Sequence, residues 1–103
     1  MKTDKLDGLR QRIGQLNRRI LDDLNERLRL VDEIRAVKLE RGLAFHDPKR
    51  EKAMLRELAA ANEGPLTEAQ LRRIYGAIFE AALEYLEAGA KKKGKREKTK
   101  TAR

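Results

Sequence analysis

Apolar side chains recur at steps of three and four along the first third of the chain: Leu6, Leu9, Ile13, Leu16, Ile20, Leu24, Leu28, Val31, Ile34 and Val37. This spacing is one stripe of a helix, close to a coiled-coil seam, and no proline interrupts it. Thr3 or Asp4 is placed to cap its start, Gly14 weakens it locally and Gly42 ends it, which predicts one helix of about 35 residues. Asp47-Pro48 is a second start, an acceptor at the N-cap followed by a proline at N1, where a missing N–H costs nothing. That helix carries Met54, Leu55, Leu58 and Ala61 and stops at Asn62-Glu63-Gly64-Pro65. A third begins at Thr67, with Gln70 completing a capping box. Its stripe is Leu71, Ile74, Ile78, Ala82 and Tyr85, fading at Ala88-Gly89. Nothing alternates with period two and no segment repeats. The pattern predicts an all-α fold of three helices: long, short and medium.

The first helix has a consequence beyond its own fold. At 1.5 Å per residue it runs roughly 52 Å, whereas a compact 90-residue globule has a radius of gyration of about 12 Å. Its stripe continues to both ends, so it overhangs any core that one chain can build. A second copy of the chain, arranged as a two-fold homodimer, is the simplest cover.

The formal charge of +8 suggests a nucleic-acid partner until it is located. Residues 91–103 read KKKGKREKTKTAR, eight basic and one acidic, and hold +7 of it. Residues 1–90 carry 17 basic and 16 acidic side chains and form the one predicted domain. The tail has no apolar side chains of any size to bury and is expected to be disordered: a linker stub, a solubilising end or a weak phosphate-binding arm. Without aromatics or a fold it offers only non-specific attraction, so no specific nucleic-acid partner is expected. The charged N-terminus lacks the apolar core of a signal peptide, and no stretch has the length and apolarity of a membrane span. With no cysteine to form disulfides, the expected compartment is the cytoplasm.

Most site chemistries are excluded by the same inventory. Without Cys and with His46 alone, neither a Cys–His nor a Ser–His–Asp system is expected, and His-based metal sites fail likewise. There is no glycine-rich phosphate loop. What remains are cations beside apolar stripes. Arg27 lies between Leu24 and Leu28, and Lys38, 11 residues later, is within about 20° of the same face. Arg50 and Glu51 fall in the first turn of the second helix. Spacing alone favours reading these as ordinary charged side chains, snorkelling beside a core or lying on the surface.

The run LRQRIGQLNRRILDDLNERLRLVDEIRAVKLERG, followed by FHDPKREKAML, resembles the AroQ-class, all-α chorismate mutases over roughly residues 6–88. The shared motif is an Arg near the start of the first helix, Glu-Arg with a Lys eleven residues after the Arg, and D-x-x-R-E opening the second. The segment FHDPKRE…NEGP is most similar to mutase domains fused ahead of a DAHP synthase, which implies a fused or associated synthase as a possible partner.

The resemblance implies an intertwined two-fold homodimer and the rearrangement of chorismate to prephenate, in aromatic amino-acid biosynthesis, with no cofactor and no metal. It implies that Arg10, Arg27, Lys38, Asp47, Arg50 and Glu51 bind substrate, Arg10 reaching in from the partner chain. Arg10 and Arg27 are 17 residues apart, about 25 Å along one helix, too far to share one small substrate within a chain. By resemblance, Arg10 and Arg27 take a carboxylate, Arg50 contributes from the second helix, Lys38 donates to the ether oxygen and Glu51 accepts from the ring hydroxyl. The family's second ether-oxygen donor, a Gln or Glu on the third helix, is the departure. An ungapped register puts Ala82 and Leu86 at the small polar position and the donor position, and Glu87, ahead of Glu84, is the nearest replacement. Two alternatives remain open: an isochorismate-pyruvate lyase-like enzyme of the same fold, and a non-enzymatic helical dimer with a basic tail.

Overall fold

Each of the three stripes becomes a helix in the computed structural model, which describes residues 4–89 with their side chains. The helices are α1 (Lys2–Arg41), α2 (Pro48–Ala61) and α3 (Glu68–Ala102), with no strand among the described residues. The side chains of residues 91–103, expected to form a disordered tail, lie outside the described ones. The chain forms two compact units, Met1–Glu33 and Ile34–Arg103. No helix among the described residues is long and apolar enough to cross a membrane.

α1 begins at Lys2, so Thr3 and Asp4 lie inside it rather than capping it. Asp4 instead occupies the first turn, where a carboxylate meets the positive end of the helix dipole. Gly14 is carried within the helix. In the unit Met1–Glu33 the stripe residues Leu6, Leu9, Ile13, Leu16 and Ile20 are each 47–59% exposed.

Gly42 stops α1 as expected, with φ +66°. The N–H of Leu43 donates to the carbonyl of Lys38 at 2.8 Å, and the N–H of Gly42 to that of Leu39 at 3.3 Å. These are the two bonds of a Schellman terminator, which meets carbonyls that the helix itself leaves unpaired.

α2 starts where the sequence places it. Asp47 is the N-cap, its Oδ1 accepting from the N–H of Arg50 at 3.1 Å, and Pro48 follows. At the far end the N–H of Gly64 donates to Asn62 Oδ1 at 2.9 Å, and Asn62 Nδ2 donates to the carbonyl of Leu66 at 2.8 Å. The capping box of α3 is reciprocal: the N–H of Gln70 donates to Thr67 Oγ1 and the N–H of Thr67 to Gln70 Oε1, both at 3.1 Å.

α2 packs against α3. Leu71, Phe79, Ala82 and Leu86 are the buried side chains, and Tyr75 tilts against Phe79 with ring centroids 6.2 Å apart. These buried positions fall within about 80° of the α3 surface. The expected stripe is centred on the adjacent flank, and its Ile74 and Tyr85 are exposed. α3 is apolar across both flanks, so spacing could not say which one α2 takes. The helix also continues through Gly89 instead of fading there. A lone glycine costs about 1 kcal/mol against alanine, and no proline follows to end the helix.

Gly42→Ala forces a Cβ into the left-handed conformation of the terminator and should destabilise the protein by about 1–2 kcal/mol. The check is the urea midpoint at unchanged slope; an unmoved midpoint would mean that α1 does not depend on this terminator.

Candidate active site

Lys38 stands three residues before the end of α1. Its main-chain carbonyl is part of the terminator, and the chain then turns back toward its side chain. Lys38 Nζ donates to the carbonyl of Phe45 at 3.2 Å. The bond is part-buried, as is Lys38 itself. A lysine ammonium has three donors, and among the described residues this is its one hydrogen bond.

Arg35, one turn earlier, places its guanidinium 5.9 Å from the centre of the Phe45 ring. This is within the range of a cation–π contact. Arg35 Nε is buried with no hydrogen-bond partner.

The first turn of α2 gathers Asp47, Arg50 and Glu51. Asp47 holds the turn through its contact with the Arg50 N–H, and the Glu51 N–H donates to the Asp47 carbonyl at 3.1 Å. Arg50 itself is exposed. Glu51 is half-buried, and its Oε2 lies 3.6 Å from His46 Nε2, an ion pair only when His46 is protonated.

The remaining candidates are distributed differently. Arg10 is exposed and Arg27 half-buried in the unit Met1–Glu33. On α3, Ala82 and Leu86 are buried with Leu71 and Phe79, so the positions given by the ungapped register are core positions. Glu87 and Glu84 are exposed. Glu87 lies about 100° around the helix from Leu86, so only a local shift of α3 would bring it to that position.

Arg35, Phe45 and His46 were not among the sequence-derived site residues. Arg35 carried a usable signal, since three residues separate it from Lys38 and both lie on one helix face. Phe45 and His46 carried none, because their positions depend on how the chain leaves Gly42.

Asp47→Asn should leave stability nearly unchanged, because the amide oxygen caps as well as the carboxylate, whereas Asp47→Ala should cost about 1 kcal/mol. Thermal or urea unfolding of both variants checks this, and equal losses would remove the cap from the account.

The family described as chorismate mutase type II matches residues 9–87. Bifunctional chorismate mutase/prephenate dehydratases of Stutzerimonas stutzeri and Pseudomonas aeruginosa are each 33% identical to the chain, over 87 and 85 residues. Those matches take in 80% and 78% of this chain but only 24% and 23% of the relatives, so the chain spans about a quarter of their length. Two structures of a chorismate mutase from Thermus thermophilus, forms II and I, align with TM-scores of 0.76 and 0.74, both at 42% identity. They cover 78% and 76% of this chain and 91% and 98% of theirs. The companion activity in the two bifunctional relatives is a prephenate dehydratase, where FHDPKRE…NEGP had pointed to a DAHP synthase. That segment includes a cap, an N1 proline and an Asn-based turn, which serve the helices themselves, and the fused DAHP synthase is not supported. Over the matched residues, which hold every candidate from Arg10 to Glu87, the chain belongs to the type II chorismate mutase family.

Proposed function

We propose that this chain catalyses the rearrangement of chorismate to prephenate, as a two-fold homodimer whose sites combine residues of both copies. Membership of the family across residues 9–87 carries the reading. The half-exposed stripe of α1 supports the dimer, as do Ile74 and Tyr85 on the exposed flank of α3. A second copy covers apolar surface that a single chain leaves in water.

The reaction is intramolecular and pericyclic, so no group has to attack the substrate or take a proton from it. The protein has to hold a chair-like conformer and stabilise the charge that grows on the breaking ether oxygen. Arg10 of one copy and Arg27 of the other clamp a carboxylate, where the forked guanidinium makes paired hydrogen bonds. Arg50 adds a cation from α2, Asp47 keeps that turn in place, and Glu51 accepts from the ring hydroxyl. Lys38 meets the ether oxygen with the donors that Phe45 leaves unused. Glu87 is the second donor if the α3 register shifts locally; otherwise Lys38 acts alone.

Loss of chorismate absorbance, with and without protein, tests the activity directly. Lys38→Ala should lower kcat by roughly 100- to 1,000-fold, the usual loss for one donor to a developing oxyanion. Near-normal turnover in that variant would remove Lys38 from the mechanism.

The shared site has its own test. Arg10→Ala and Arg27→Ala should each be nearly inactive. A mixed dimer has one intact site, because the Arg10→Ala chain keeps its Arg27 and borrows Arg10 from its partner. Random re-association makes about half of the dimers mixed, so an equal mixture should regain roughly a quarter of wild-type activity. No recovery from two folded, exchanging, dimeric variants would sink the two-chain site.

A further inference from the structure

We infer that Arg35 and Phe45 are positioning residues for Lys38: the Arg35 guanidinium clamps the Phe45 ring, and the Phe45 carbonyl then fixes the Lys38 ammonium without neutralising it. This rests on the proposed role of Lys38 at the ether oxygen.

Three observations converge on Phe45. Residues 42–44, 46 and 47 of the connection between α1 and α2 are exposed, and Phe45 alone is half-buried. Its ring faces Arg35 at 5.9 Å, and its carbonyl accepts from Lys38 Nζ at 3.2 Å. Arg35 and Lys38 are one turn apart on the same face of α1, so one loop residue engages two neighbouring cations. It does so with the negative face of a ring and the negative end of a carbonyl. Neither carries formal charge.

That distinction matters for the chemistry. A carboxylate beside Lys38 would hold the ammonium but offset its charge, and that charge is what stabilises a growing oxyanion. A carbonyl orients the ammonium, keeps its full charge and uses one of three donors. The ammonium sits on a flexible four-carbon stem, so its position has to be fixed from outside.

Arg35 carries a cost of its own. Its Nε is buried without a partner, and an unmet buried donor is destabilising. An unbranched apolar side chain would fill the same space without that donor. An arginine at 35 is therefore better explained by its hold on Phe45 than by packing.

The test measures kcat and KM for chorismate in Arg35→Met, Phe45→Leu, Phe45→Tyr and Lys38→Ala, and in Arg35→Met combined with Lys38→Ala. Arg35→Met and Phe45→Leu should lower kcat by roughly 10- to 100-fold, the loss expected from a small misplacement of a reacting group. KM should stay within about twofold, since the lost interaction belongs to the transition state. Phe45→Tyr keeps the ring face and should restore near-normal kcat. The thermal midpoint of Arg35→Met should be unchanged or higher. In the Lys38→Ala background, Arg35→Met should have no further effect, because nothing is left to position. A wild-type kcat in Arg35→Met, or an undiminished loss in that background, would overturn the inference while leaving the proposed function standing. Normal turnover in Lys38→Ala would instead remove the reading on which the inference depends.

Discussion

A forty-residue helix has to be stopped before anything can return to its side chains, and here the stop and the candidate site share a residue. The carbonyl of Lys38 accepts the longer of the two terminator loops, and its ammonium donates to the loop that follows. Gly42 makes the turn possible by adopting φ +66°. Five residues later Asp47 opens α2 by capping its first turn. The two ends of this connection are held: main-chain donors at Gly42 and Leu43, and at Arg50 and Glu51 in the first turn of α2, are met locally. Lys38 lies before this connection and Arg50 and Glu51 just past it, with the Phe45 carbonyl between them accepting from Lys38. The terminator is the constraint from which the placement of these groups follows.

The proposed reaction explains why such placement outweighs reactivity. Its barrier falls only through interactions that strengthen as the ether bond breaks. A mobile ammonium would bind the ground state and transition state alike, and would reorganise at the moment of reaction. Fixed charges perform better, and in the Ile34–Arg103 unit Lys38 and Arg35 both meet neutral groups of the loop. Phe45 supplies a carbonyl and a ring, and the Asp47 carboxylate accepts from the main-chain N–H of Arg50.

Local chemistry was legible in the sequence and longer-range packing much less so. Gly42, Asp47-Pro48 and the Thr67–Gln70 box each act through bonds to residues within four or five positions, so spacing alone identified them. The start of α1 was misplaced because a polar residue can cap a helix or ride in its first turn, as Asp4 does. The buried flank of α3 was also misplaced, since both flanks are apolar and only α2 decides between them. Among the candidate residues, Asp47 was readable as the cap of α2. The role of Phe45 was not, because it depends on the path of the chain after the terminator rather than on any periodicity.

The departure on α3 follows from the same packing. Ala82 and Leu86 lie on the buried flank with Leu71 and Phe79, where a polar side chain would need a buried partner. An amide donor at 86 would therefore conflict with the core that joins α2 to α3. Glu87 sits outside that core and is free of the conflict, but a carboxylate donates a hydrogen bond only when protonated. An ionised Glu87 near the ether oxygen would oppose the charge that Lys38 is proposed to stabilise. The proposed catalysis therefore leans more heavily on Lys38 than it would in a relative with an amide on α3. A site with one main donor gains more from holding that donor still, which is the physical reason to look for positioning residues around Lys38 rather than for a second donor.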